Sequence, residues 1–422
     1  MKLHLSPTRD YSLDNIRFIL IFSVVFAHLL EVCAPFSGSW LIYKFIYTFH
    51  MPTFIFLFGY NAKYSLKKII YRWCLPYAIF QCVYILFSNF ILKTNTDFQF
   101  TTPYWLLWYI LVCIYYQLLL PLFDTADNSK QVVTILCVFV ISLLIGYEEH
   151  VGHYMSLSRF FVFQPWFLLG YYCKKNNLLE ELSLKPKRRF FVLLASETII
   201  VILFLFIAII PDSLLYGAYS YSSCEGTLWM RGMASIMSFA VILFLCVGMR
   251  PHLSKKLALI TNIGQNTWPI FLLHGFVVKA IPIYFPYLVS SPWRVVLLSC
   301  TIIIFIGNKL CNKIVYYICF SWLEKCLTNS NLNKELDYMD KETIGAVLSV
   351  TRQWWLKVNV KPIRRGALDG ATFPHIIKVQ YVVDGNIYIK KKWIKAGEEI
   401  PAVGDRLAVL YCSNMPTKAK VL

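Results

Sequence analysis

Charge is scarce in this sequence. Asp, Glu, Lys and Arg make up 15% of its 422 residues, against about 25% in an ordinary soluble domain. Acids are the scarcer sign, 23 against 41 Lys and Arg. With 58% hydrophobic residues and a mean hydropathy of +0.56, these shortages exclude an ordinary soluble enzyme. The 13 Cys include no CxxC pair, and their scatter through apolar stretches reads as small core hydrophobes. A disulfide between Cys33 and Cys224 is open but disfavoured, because spacing cannot bring two thiols within bonding distance. P-loop, GxSxG, HExxH and dinucleotide fingerprints are absent where structure would support them, as are solenoid repeats and anything like a selectivity filter. The first apolar run lacks a small-residue cleavage site and is expected to stay as a span.

What is present is a series of apolar runs, each near the ~20 residues needed to cross ~30 Å of hydrocarbon. Ten are expected: 16–34, 45–62, 73–92, 104–123, 131–147, 159–173, 190–210, 229–248, 266–285 and 293–317. The expected fold class is an all-α polytopic membrane protein of about ten helices, with a small β-rich cytosolic domain behind it. Cytosolic loops concentrate Lys and Arg. With the N-terminus inside, inner segments hold Lys2, Arg9, Lys63, Lys67, Lys68, Arg72, Lys130, the 174–189 cluster, Arg250, Lys255 and Lys256. Outer loops hold only Lys44 and Lys93, with Arg159, Arg231 and Arg294 at span edges. Ten spans return the C-terminus to the cytosol. This asymmetry accounts for the net charge of +18 without nucleic acid, and none is expected as a partner.

Three regions follow: a membrane domain over 1–326, a polar linker over 327–345 and a small domain over 346–422. The last carries short β-type runs, VLSVT, WWLKVNV, HIIKVQYVV, NIYIKKKWI and RLAVLYC. Asp384–Gly385 is a hairpin signal, and Pro401 with Gly404–Asp405 marks another turn. Five or so strands in ~75 residues suggest a small barrel or sandwich. Its thirteen Lys and Arg against five acids are expected to rest on anionic lipid headgroups.

Ionisable groups inside apolar runs are functional candidates by default. Arg17 and His28 share the first run, eleven residues apart. That is ~16 Å along a helix axis, with both on nearly one face at ~100° per residue. Glu31 shares the face of His28, and Asp14 is placed to pair with Arg17. His50 enters the second run about five residues from outside, at nearly the depth of His28. Lys67, Lys68 and Arg72, beside Pro76, would suit a phosphate-bearing donor, although positive-inside bias explains them as well. Asn266 and Thr267 start the ninth run, a polar pair suited to capping a helix. His274 follows two turns later, at a depth between Arg17 and His28. Lesser candidates are Trp105, Trp108, His153, Arg159, Arg231 and the Phe163–Gly170 run, of which Trp105 and Trp108 read first as interface aromatics.

At these motifs the chain resembles the acyltransferase-3 family of integral-membrane O-acyltransferases. Within it, the chain is most similar to bacterial sugar acetylases of the fucose 4-O-acetylase-like kind. The likeness runs over residues 10–322 in motif order. It comprises Arg17 with His28; His50, Pro52 and Gly59; Arg72 with Pro76; Phe163–Gly170; and Gly264–His274. Many relatives carry two arginines near the third span, where this chain has Arg72 with Lys67 and Lys68.

The resemblance implies a bundle in the bacterial plasma membrane. It would use cytosolic acetyl-CoA as acyl donor to modify hydroxyls of an envelope glycan or lipid-linked sugar. No metal is expected. On that reading Arg17, Arg72, Lys67 and Lys68 hold the donor, and His28 is general base or transient acyl carrier. Glu31 orients His28, His50 polarises the thioester or binds sugar, and His274, Asn266 and Thr267 line the path. The chief alternative is a proton-coupled transporter or flippase with a cytosolic regulatory domain, and a sensor is a further one.

Overall fold

A computed structural model describes residues 11–32, 38–317, 319, 341–354, 358–359, 371–413 and 415–421. The chain divides into two compact units, 1–321 and 322–422. Lys2, Arg9, Cys33, the end of the membrane domain at 322–326 and residues 327–340 of the expected linker lie outside the described residues.

The first unit is helical. Its longer helices are α1 (Ser12–Val32), α2 (Ser39–Tyr60), α3 (Leu66–Phe90), α4 (Trp105–Phe123), α5 (Asn128–Tyr147), α6 (Leu157–Lys175), α7 (Pro186–Leu205), α8 (Leu228–Gly248), α9 (Thr267–Tyr284) and α10 (Pro292–Ile306). Each overlaps one of the ten apolar runs. Seven are long and apolar enough to cross a membrane: α1 to α5, α8 and α9. The other three fall short of that mark for physical reasons. Arg159, Lys174 and Lys175 charge the end turns of α6, Lys187 to Arg189 charge the first turn of α7 and Glu197 its middle, and α10 has only 15 residues.

Glycine sets the contact of α2 with α6. A Cβ on Gly59 of α2 would lie 2.0 Å from the Phe167 carbonyl oxygen of α6, and one on Gly170 of α6 would lie 2.0 Å from that of Phe56. Two helices can approach this closely only where the side chain is absent. Pro52 inside α2 leaves the Thr48 carbonyl without its intrahelical donor, and the Ser238 hydroxyl of α8 supplies one at 2.5 Å. In α3, Pro76 likewise cannot donate to the Arg72 carbonyl. The helix widens there into a π-turn over Ile70–Cys74, which turns Arg72 and Trp73 toward a cavity.

The second unit contains β1 (Lys341–Arg352), β2 (Val358–Asn359), β3 (Ala371–Thr372), β4 (His375–Val383), β5 (Asn386–Ile394), β6 (Arg406–Cys412) and β7 (Met415–Val421). An antiparallel sheet runs β5-β4-β1-β6-β7. Its edge strands β5 and β7 approach one another, so the sheet curls toward a barrel. The buried face carries Val347, Ile377, Val379, Tyr381 and Val409. Asp384–Gly385 turns β4 into β5 with both residues at positive φ. The strand expected from 346 begins at Lys341, because 341–345 pair with β6. Lys341 to Gly345 are therefore sheet, not linker.

Candidate functional site

Three cavities meet end to end along α1. The first, about 710 Å³, is lined by Arg17, Arg72, Trp73, Gln265, Thr267 and Asn312 among others. Arg17, Trp73, Thr267 and Trp268 also line the second, an apolar space of about 210 Å³ walled by Ile21, Val24, Phe54, Leu57 and Phe271. His28, Met51 and Trp108 close its far end and open onto the third. That one, about 340 Å³, holds Glu31, Tyr47, His50, Trp105, His153 and Arg159. The stripe along one helix is thus a path with a guanidinium at one end and an imidazole toward the other.

The Arg17 end is built from α1 and the short helix Ala258–Gln265. Arg17 donates to the Asp14 carboxylate at 2.9 Å, and Gln265 holds the other oxygen of Asp14 at 2.9 Å. Buried Asn15 donates to the Leu253 and Lys255 carbonyls at 2.6 and 2.9 Å and accepts from Thr261 at 2.8 Å. A Cβ on Gly264 would lie 1.8 Å from the Asp14 carbonyl oxygen, so that glycine seats the short helix directly on α1. Asn266 departs from its expected role: its side chain bonds the Asn262 carbonyl and Asn312, and no side-chain cap forms on α9. Thr267 lines both cavities. Lys67 and Lys68 are exposed one turn ahead of Arg72 and are not among the lining residues.

At the other end four side chains converge on His28. Its Nδ1 lies 3.1 Å from the Tyr47 hydroxyl and 3.4 Å from a Glu31 carboxylate oxygen, and Tyr47 donates to the same oxygen at 3.4 Å. These partners assign the proton to Nδ1 and leave Nε2 with a lone pair. The His274 ring stacks on His28 with centroids 5.6 Å apart. His50 packs edge-on to Tyr47 at 4.8 Å. Both His50 and His274 donate Nδ1–H to carbonyls one turn back, at 2.7 and 2.8 Å, so each Nε2 can only accept. That of His274 is buried without a hydrogen-bond partner.

Several contributors were not singled out by sequence reasoning. Tyr47 stands three residues before His50, one turn away, and helical periodicity alone could have found it. Lys279 lies 4.3 Å over the Trp105 ring. Trp105 and Trp108, lesser candidates that read first as interface aromatics, both belong to the site: Trp105 stands 4.7 Å from the His28 ring, and Trp108 walls two cavities. Beyond the spans, burial and the neighbouring Arg159 hold the His153 imidazole below its usual range. Among the described residues no three His, Cys, Asp or Glu side chains are grouped to hold a metal, and Cys224 is a free thiol.

The acyltransferase-3 family model, described as an acyltransferase domain, matches residues 10–307, which include every residue lining the second and third cavities and all but Asn312 of the first. No curated protein and no solved structure matches the chain.

Proposed function

The chain belongs to the acyltransferase-3 family, and from that membership we propose that it moves the acetyl group of cytosolic acetyl-CoA to a hydroxyl of an envelope glycan or lipid-linked sugar. It does so in a bacterial plasma membrane, crossed about ten times with both termini cytosolic. The observation that carries this reading is the apolar space between Arg17 and His28. Their ~16 Å separation matches the arm between the last phosphate and the sulfur of coenzyme A, about twelve bonds or about 15 Å extended. Donor phosphates at Arg17 and Arg72 then leave the thioester at His28, with the arm filling the apolar space. Lys67 and Lys68 attract the donor from outside the cavity without gripping it.

In the transfer step His28 Nε2 takes the proton of the acceptor hydroxyl as that oxygen attacks the thioester carbon. The tetrahedral intermediate collapses with cleavage of the C–S bond, and the leaving sulfur receives the proton from His28. Glu31 and Tyr47 hold Nδ1–H and so keep Nε2 basic and aimed. General-base help of this kind is worth ~10²–10⁴-fold. The bonding of His50 supports acceptor binding over carbonyl polarisation, since its N–H is already engaged by Ile46 and Nε2 offers only a lone pair.

The basic second unit lies against anionic headgroups, attracted through exposed lysines such as Lys378 and Lys391. The test of the whole reading is transfer of labelled acetyl from acetyl-CoA in isolated membranes. A proton-driven uptake of substrate with no covalent product would replace it with a transporter.

A further inference from the structure

We propose that the acceptor carries an anionic group, a carboxylate or a phosphate, and that Arg159 binds it in the cavity beyond His28. The inference rests on the transferase reading and names the substrate class of the same site.

Arg159 stands in the first turn of α6. Its Nε donates to the Tyr216 carbonyl at 3.0 Å, and its guanidinium lies 4.9 Å over the Trp108 ring. Those two contacts fix the plane of the group and leave its terminal nitrogens for a ligand. It makes no ion pair among the described residues. Two other cations of the bundle differ: Arg17 has Asp14, and Lys44 has Asp212 at 3.5 Å with two carbonyls. Arg231 bonds the Ser142 and Tyr219 carbonyls and is not among the residues lining this cavity.

The cavity supplies Arg159 with no ion-pair partner among the described residues. Among the described residues that line it, Glu31 is the one carboxylate, and His28 and Tyr47 already engage it. His153 beside Arg159 is held toward its neutral form. A cation removed from water without a partner is unfavourable. A stacked guanidinium with a free fork is the group best suited to a carboxylate or phosphate. Past His153 and Tyr219 the cavity continues into a polar space of about 470 Å³ with Ser220, Ser222 and Glu149 on its walls. That gives room for further sugar units. An anion at Arg159 anchors the acceptor while a neighbouring hydroxyl reaches His28.

Equilibrium binding to the full chain in lipid nanodiscs tests this without requiring turnover. The probes are a glucuronate-bearing disaccharide, its carboxyl-reduced neutral counterpart, a sugar 1-phosphate and the free sugar. Wild type should bind at least one anionic probe about tenfold tighter than its neutral match, which is about 1.4 kcal/mol. Whether the uronate or the phosphate shows the gain identifies the source of the charge. In Arg159→Gln the ratio should fall toward one, and Arg159→Lys should restore part of it. Equal affinity for charged and neutral probes in wild type overturns the proposal even if the variants fail to fold. So does an Arg159→Gln loss that is the same for both. Charge-selective binding without acetyl transfer would sink the transferase reading and leave the anion site standing. Transfer without charge selectivity would do the reverse.

Discussion

Arg17 is the residue at which the donor hypothesis can be tested most sharply. In Arg17→Gln the Asp14 carboxylate keeps its bond from Gln265, so the start of α1 and the helix 258–265 stay joined. What is lost is the charge at the mouth of the apolar space. One hydrogen bond to a charged group contributes about 1.5–3 kcal/mol, which sets the expected fall in kcat/KM for acetyl-CoA at about tenfold to a hundredfold. Arg17→Lys keeps the charge but not the fork that serves Asp14 and a phosphate together, so it should fall between. The assay is acetyl transfer from acetyl-CoA and, separately, from S-acetylpantetheine, which has the arm without the phosphates. Wild type should prefer acetyl-CoA strongly. Arg17→Gln should lose on acetyl-CoA while its rate with S-acetylpantetheine stays near wild type. An equal loss on both donors would refute a phosphate-binding role and leave Arg17 as a packing residue of α1.

Other expectations follow from the same geometry. Tyr47→Phe removes one hydrogen bond from the His28 network, about 0.5–1.5 kcal/mol, and should lower kcat several-fold with little change in KM, read by steady-state transfer. Gly170→Ala puts a Cβ 2.0 Å from the Phe56 carbonyl oxygen; overpacking of this kind costs about 1–3 kcal/mol and should lower the detergent melting temperature. Gly232→Ala is the control, since nothing lies within 4 Å of the added carbon, and it should be neutral or stabilising by about 0.5–1 kcal/mol. In the sheet domain Lys378 and Lys391 are exposed and directly paired. Lys391→Glu should turn a repulsive pair into an attractive one, worth about 0.2–1 kcal/mol, while weakening binding of the full chain to anionic vesicles.

The path along α1 was legible because helical geometry is rigid: eleven residues fix both the separation of Arg17 and His28 and their common face. The ion pair of Arg17 with Asp14 followed from the same periodicity. Tertiary details did not. Nothing in local spacing says that the motif glycines Gly59, Gly170 and Gly264 mark backbone contacts, or that Asn266 bonds Asn312 rather than capping α9. The stacking of His274 on His28 depends on how α9 packs against α1, which a span-by-span reading cannot include. Lys67 and Lys68 group in sequence with Arg72, which stands out only by its place at the span entrance beside Pro76; the structure separates them, with Arg72 lining the cavity from a π-turn and the two lysines outside it.

The central claim is that His28 mediates acyl transfer, and isolated membranes test it directly. Membranes holding wild type or His28→Ala at matched protein level are supplied with acetyl-CoA labelled in its acetyl group. The account predicts label in a glycan or lipid fraction with wild type and none above background with His28→Ala. Equal labelling by both would contradict it.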